Sequence, residues 1–290
     1  MDEERTEAWW ARRAWALLSA VRERAPLVQC ITNLVSMDIA ANALTAAGAS
    51  PAMLHSLREI PDFTPRCDAV YINVGTLSED WLPSMRAAAS AGRPWVLDPV
   101  AAAASGFRME ACLQLLSRSA PPSSGATRPR SSPSPRAQIT PPSRKQRRTV
   151  LWKKHKGKGQ QNEQCANTCG QLQGVDSSHD SGEALQAAKA LARSSGAVVA
   201  VSGAVDFITD GEQVISASNG VAMMQKITAT GCAVTALIAA FVGADPSDAL
   251  AAAACALAIF GLAGEIGMES VKGPASLRMH LIDALYGLDE

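Results

Sequence analysis

Net charge is the first thing this sequence lacks: 27 Lys and Arg balance 27 Asp and Glu over 290 residues. The balance is not local. No acidic residue occurs between Glu110 and Glu163, while twelve Arg and Lys lie from Arg118 to Lys158, leaving 15 basic against 27 acidic residues elsewhere. The zero total therefore says nothing about partners. Dense cysteine pairing is missing too, because seven cysteines at irregular spacings do not make a secreted disulfide scaffold. The N-terminal MDEERTEAWW has neither the basic-then-apolar order of a signal peptide nor the Arg/Ser bias of a transit peptide. Long apolar runs are also lacking. Cys232 to Ala244 is thirteen residues before DPSD, and Ala249 to Gly264 is sixteen, where a membrane span needs about 20. These absences predict a soluble, cytoplasmic protein with no membrane partner, and the 47% apolar content is enough for a real core.

What is present reads as alternating strands and helices. Residues 8–24 place Trp10, Ala14, Leu17, Leu18 and Val21 at helical spacing. CITNLVS (30–36) reads as a short strand or turn, and Ser36 as the cap of a helix over 37–47 that Gly48 stops. DAVYINVG (68–75) is a buried strand, SEDWLPSMRAAASAG a helix, and RPWVLDPV (93–100) a strand with a charged tip. The pattern returns with a helix in SGEALQAAKALARSSG, a strand in AVVAVSG (197–203), and a hairpin turning at Asp210-Gly211. An Ala-rich helix pair and a last helix in GPASLRMHLIDALYGL follow. This order is the α/β signature.

Between the two halves, about 118–173, Ser, Pro, Arg, Lys and Gln replace periodic apolar residues. The composition reads as a disordered insertion. A basic run attracts phosphate without specificity, but no nucleic-acid partner is expected. CANTC (Cys165, Cys169) with His155 lacks the second ligand pair of a metal site.

The chemistry concentrates in KITATGCAVTALIAAF (226–241). Small residues at Ala229, Gly231 and Cys232 ahead of a helix let backbone N–H groups converge, and the helix dipole adds its positive end. That suits an anion such as a transferring phosphoryl group, and the same field favours a thiolate at Cys232. Asp98 ends one strand and Ser202 another, and ligands of open α/β sheets sit at the carboxyl ends of strands. An acid, a hydroxyl and an anion cradle together suit metal-assisted phosphoryl transfer.

The stretches QCITNLVSMDIAANALTAAGASPAM, YINVGTLSEDW, WVLDPVAAAASGFR, GVDSSHDS, AVVAVSGAVDFITDG, NGVAMMQKITATGCAVTALIAAF and GPASLRMHLIDALYGLDE resemble the hydroxyethylthiazole kinases. The resemblance covers about 8–117 and 174–290. It implies a single domain over 1–290 of ribokinase-like three-layer α/β/α architecture, with a central, mostly parallel sheet. It also implies a homotrimer, ATP and Mg2+, and phosphorylation of 4-methyl-5-(2-hydroxyethyl)thiazole in thiamine synthesis. By the resemblance, Asn33, Met53, Gly75 and Ala229 fall on the thiazole pocket, Ala229 where many members have glycine. Ser202 and Thr230 fall on the nucleotide side, and Asp98 near metal and phosphates. Gly231 and Cys232 fall on the phosphate cradle and beside the acceptor hydroxyl; related sugar kinases carry an aspartate base at the position of Cys232. Two alternatives stay open: another small-alcohol kinase of the fold, or a non-catalytic thiazole-binding relative.

The family's Arg-Gly-Asn-Ala-Ser-Glu-like motif is not written between the halves. APPSSGATRPRSSPSP (120–135) stands there instead. A gene encoding RPSVIRGNAPEILALA, read one nucleotide late with GC-rich codons, gives that string at all sixteen positions. The stretch 118–173 thus reads as a frame-shifted or mis-spliced translation, in frame again near Gly174. As written, it replaces a metal-side carboxylate by Arg130, loses a phosphate-clamping arginine, and should leave the sheet without a strand and its helix.

Overall fold

The computed structural model describes residues 6–117, 148–153 and 181–289. The readings made above for 120–135, Arg130, His155, Cys165 and Cys169 lie outside these residues. The first helix, α1 (Glu7–Arg24), is capped by Thr6, whose Oγ1 accepts the Trp9 N–H at 3.2 Å. Strand β1 (Leu27–Ile31) is set earlier than CITNLVS suggested, and the NLVS part is the loop beyond it. Then come α2 (Met37–Ala46), β2 (Ser50–Ala52), the short α3 (Ile60–Phe63), β3 (Ala69–Asn73), α4 (Trp81–Ala89), β4 (Trp95–Asp98) and α5 (Gly106–Ser117). After them follow β5 (Arg148–Lys153), α6 (Ser181–Ser195), β6 (Val198–Ser202), and the hairpin β7 (Asp206–Thr209) and β8 (Val214–Ala217). Helices α7 (Thr230–Ala244), α8 (Ala249–Met268) and α9 (Pro274–Gly287) complete the chain.

The strands form one sheet in the order β2-β1-β3-β4-β5-β6-β7-β8. Strands β1 to β6 run parallel, β7 antiparallel to β6, and β8 antiparallel to β7. Buried strands alternate their side chains between two helix layers. Cys30, Tyr71, Val96 and Ala200 pack with α1, α2, α7, α8 and α9. Ile31, Ile72, Leu97 and Val199 pack on the other face with α4, α5 and α6. The expected three-layer α/β/α architecture is thus present. The chain passes from β1 outward to β2 and then back across β1 to β3. This reversal opens a crevice at the carboxyl ends of β1 and β3, where open parallel sheets bind ligands.

Two expectations need correction. The sheet is not short of a strand: Arg148–Lys153, inside the stretch read as an insertion, pairs in parallel with both β4 and β6. Thr149-Val150-Leu151-Trp152 is a β-branched and aromatic run that composition over fifty residues had masked. The second correction concerns α8, which runs 20 residues through Glu265 rather than stopping at Gly264, and so is long and apolar enough to cross a membrane. Glu265 does not end it because its Oε1 accepts the Gly220 N–H at 2.6 Å. The helix is mostly buried and packs on α1, α7 and α9, as a core helix does.

Candidate active site

Helix α7 starts two residues before Cys232, and its N-cap Ala229 has φ 63° and ψ 16°. A left-handed residue there turns the chain sharply into the helix, at a cost glycine would avoid. The first-turn N–H groups, those of Thr230, Gly231 and Cys232, have no intrahelical carbonyl to bond, and the dipole adds positive potential beside them. On either side of this turn lie two different environments.

On the crevice side is a buried polar network. Asn73 and Asp98 end neighbouring strands and lie opposite each other in register, and both point to the α7 face by strand alternation. Asn73 Nδ2 donates to Asp98 Oδ2 at 2.8 Å and to the Tyr71 hydroxyl at 2.7 Å, and lies 3.3 Å from Cys232 Sγ. Asn73 Oδ1 accepts the Gly75 N–H at 2.8 Å and the Asn33 amide at 2.7 Å. Asn33 Nδ2 is also 3.6 Å from Cys232 Sγ, while its Oδ1 accepts the N–H groups of Val35 and Ser36 at 3.0 Å each. Gly75 is needed for space: a Cβ there would stand 2.8 Å from Asn33 Nδ2. Burial, and then the Asp98 carboxylate and Cys232, push the Tyr71 hydroxyl well above its ordinary range, so it stays protonated.

On the other side is a cavity of about 330 Å3, lined by Ser202, Gly203 and Asp206 of the hairpin region, Asn219 to Ala222 and Met224, Thr230, Gly231 and Val234, and Leu257, Phe260 and Gly261 of α8. Gly261 lets the Asn219 loop close over α8, since a Cβ would lie 2.6 Å from Asn219 Cβ. Burial raises the Asp206 carboxyl to about 6, partly opposed by the Gly203 N–H it accepts at 2.8 Å.

The residues singled out from sequence therefore divide. Asn33, Gly75, Asp98 and Cys232 meet in the network. Ser202, Thr230 and Gly231 line the cavity, and Ala229 sits at the hinge between the two. Thr230 contributes backbone rather than hydroxyl, because its one hydroxyl hydrogen is shared between the Met224 and Ile227 carbonyls, 2.8 and 2.5 Å from Oγ1. Met53 follows edge strand β2 at the same end of the sheet and packs, partly buried, against the core. Sequence reasoning missed Asn73 and Tyr71. The signal was an asparagine inside the otherwise apolar AVYIN, just before a glycine. It also missed the α8 wall of the cavity, where glycines in an apolar helix were the clue. Among the described residues no three His, Cys, Asp or Glu side chains cluster as a metal site.

The sequence model of the hydroxyethylthiazole kinase family matches residues 18–122 and 146–290. The chain belongs to the hydroxyethylthiazole kinase family. A hydroxyethylthiazole kinase of Zea mays is 70% identical over 289 residues, covering 100% of this chain and 93% of that one. One from Arabidopsis thaliana is 52% identical over 295 residues, with 100% and 95% covered. The hydroxyethylthiazole kinase structure from Pyrococcus horikoshii OT3 superposes with a TM-score of 0.76 at 34% identity, over 96% of this chain and 94% of that one. A ribokinase-like superfamily protein of Enterococcus faecalis V583 superposes at 0.52 with 11% identity, over 89% and 86%, which is a likeness of fold alone. The fold is ribokinase-like. The family match resumes at residue 146, ahead of the Gly174 at which the resemblance was taken up again.

Proposed function

We propose that the protein phosphorylates the primary alcohol of 4-methyl-5-(2-hydroxyethyl)thiazole with ATP. The carrying observation is that one helix start, Thr230-Gly231-Cys232, is shared by the cavity and by the network of Asn33, Asn73 and Asp98. In this reading the nucleotide fills the cavity beside Ser202 and sets its γ-phosphoryl group against the first turn of α7. The thiazole lies in the crevice by Asn33, Met53, Gly75 and Ala229, with its hydroxyl toward Cys232 Sγ. The alcohol oxygen bonds to the γ-phosphorus as the bond to ADP breaks, and the alcohol proton leaves toward the sulfur side. The helix N–H groups stabilise charge on the transferring oxygens, which is the main work of such a site.

Magnesium is part of the proposal. Asp98 is a single buried carboxylate near the helix start, and Mg2+ needs only one or two carboxylates when it rides on substrate phosphates. Asp98 would hold it directly or through water, and bound there the ion would neutralise charge between the phosphates. Leu34 and Val35, 65% and 61% exposed beside the crevice, are apolar surface that a neighbouring subunit would cover, in keeping with a homotrimer. We assign the protein to the cytoplasm.

The frame-shift reading of the middle of the chain is also a proposal, and it now centres on the gap between the matched segments. The family match supports it, since residues on both sides of 123–145 match the family and that stretch does not. The test is a thiazole phosphorylation assay with ATP and Mg2+. The chain as written is run beside one carrying RPSVIRGNAPEILALA in place of residues 120–135. Turnover in the restored chain, with a rate on the order of 1,000-fold lower in the other, is expected. No turnover in either overturns the kinase reading, and equal turnover overturns the frame-shift.

A further inference from the structure

Asn73 is neither among the residues carried over by the resemblance nor a group the proposed transfer uses. It is nonetheless the residue on which the crevice converges. Its amide orientation is fixed by chemistry: the Gly75 backbone N–H can only donate, so the atom 2.8 Å away must be the oxygen. The nitrogen therefore faces Asp98, Tyr71 and Cys232. The same logic fixes Asn33, whose oxygen takes the N–H groups of Val35 and Ser36 and whose nitrogen faces Asn73. The result is a chain of one polarity, from the backbone entering α2, through Asn33 and Asn73, to Asp98. With two hydrogens and three acceptors at 2.7, 2.8 and 3.3 Å, Asn73 Nδ2 is fully committed. Tyr71 receives one of those hydrogens and is left to donate its own to Asp98 Oδ2 at 3.3 Å. Two donors thus converge on one carboxylate oxygen, and the same amide nitrogen sits against the sulfur.

We propose that Asn73, with Tyr71 behind it, is the positioning residue that holds the Asp98 carboxylate and Cys232 Sγ in one fixed relation for phosphoryl transfer. The proposal rests on the kinase reading. Neutral amide and phenol donors orient the acid without supplying a counter-charge that would compete with a cation or with the helix start. A bulk-packing role needs only the shape of Asn73; a positioning role needs its N–H.

The test separates shape from donor. Asn73→Asp keeps the shape and an acceptor for Gly75 and Asn33 but replaces the N–H donor toward Asp98. In an active chain, Asn73→Asp is expected to lower kcat on the order of 100-fold, as loss of a preorganised donor does, with KM for ATP little changed. Tyr71→Phe, which removes one hydroxyl from a buried ring, should lower kcat about 3- to 10-fold with both KM values unchanged, and serves if the first variant does not fold. Because both residues act through Asp98, the double variant should lose less than the product of the two single losses. Wild-type kcat in either variant, or losses that simply multiply, overturns the proposal. If neither the wild-type chain nor the motif-restored chain turns over, the kinase reading fails instead. The proposal is then read from urea unfolding of the same three variants: costs less than additive support the shared contact with Asp98, and additive costs overturn it.

Discussion

Substituting Gly75 by alanine should damage both the stability and the thiazole side of the site, by an amount set by Asn33. The glycine φ is not in the left-handed region, so the backbone itself accepts alanine. The new Cβ, however, would lie 2.8 Å from Asn33 Nδ2 and 3.0 Å from its Cβ and Cγ, where carbon contacts settle at about 3.5–4.0 Å. Asn33 cannot swing away cheaply. It is buried, its oxygen is held by two backbone N–H groups, and its nitrogen by Asn73. Overpacking of this kind costs about 1–3 kcal/mol, and breaking the Asn33–Asn73 bond adds about 1 kcal/mol. Gly75→Ala should therefore lose about 2–4 kcal/mol in urea unfolding at fixed protein concentration, and kcat/KM for the thiazole should fall about 100-fold. The decisive measurement is the cycle with Asn33→Gly, which removes all three atoms the new methyl meets. On that background Gly75→Ala should cost under about 0.5 kcal/mol, a coupling of about 2 kcal/mol. Costs that simply add would show that Gly75 is there for another reason.

Two further perturbations follow from the same geometry. Ala229→Gly relieves a left-handed alanine at φ 63°; the relief of about 1 kcal/mol, less the entropy of glycine, should leave a gain of about 0.5 kcal/mol in thermal or urea unfolding. For Asp206 the folded carboxyl titrates near 6 against an ordinary 3.8. The folded state therefore holds the proton longer than the unfolded chain, and stability falls as pH rises from about 4 to 6 and stays low above. Asp206→Asn should match wild type at pH 4 and exceed it at pH 8 by about 1 kcal/mol after allowing for partial exposure, seen as a melting point about 2–4 °C higher. A difference independent of pH would mean that burial does not govern this carboxyl.

The parts of this fold that local chemistry decides could be read from the chain. The strand-helix alternation, the DG hairpin and the glycine-cysteine entry to α7 all follow from neighbours a few residues apart. So does Asp98, because a carboxylate after three apolar strand residues has few reasons to be there. What could not be read depends on who lies opposite. Asn73 becomes a hub only because β3 pairs in register with β4, and α7, 159 residues away in sequence, lays Cys232 against it. Phe260 and Gly261 look like any residues of an apolar helix until α8 is seen to wall the cavity. Strand β5 was hidden for the opposite reason: its local pattern is short, and a basic, proline-rich setting outweighed it. Glu265 misled in the same way, since its charge is answered by a backbone N–H from another part of the chain.

The division of the site around α7 also decides how a fault in the middle of the chain would show itself. The carboxyl end of β5 lies between the strands that end in Asp98 and Ser202, with Lys153 in register with Ser202. The end of β5 therefore borders the proposed phosphate side of the site. Among the described residues the crevice is built from other elements: the loop after β1, the end of β3, the end of β4 and the start of α7. The hydrogen bonds named for it run between these elements. Thiazole binding should therefore survive an altered middle segment even where turnover does not. Calorimetric titration of the chain as written with the thiazole should give a Kd within about threefold of the motif-restored chain, a difference below about 0.7 kcal/mol, while kcat differs by orders of magnitude. An altered thiazole affinity with unaltered turnover would reverse the assignment of the two sides. The network would then have to be the phosphate side of the site, and the cavity the thiazole side.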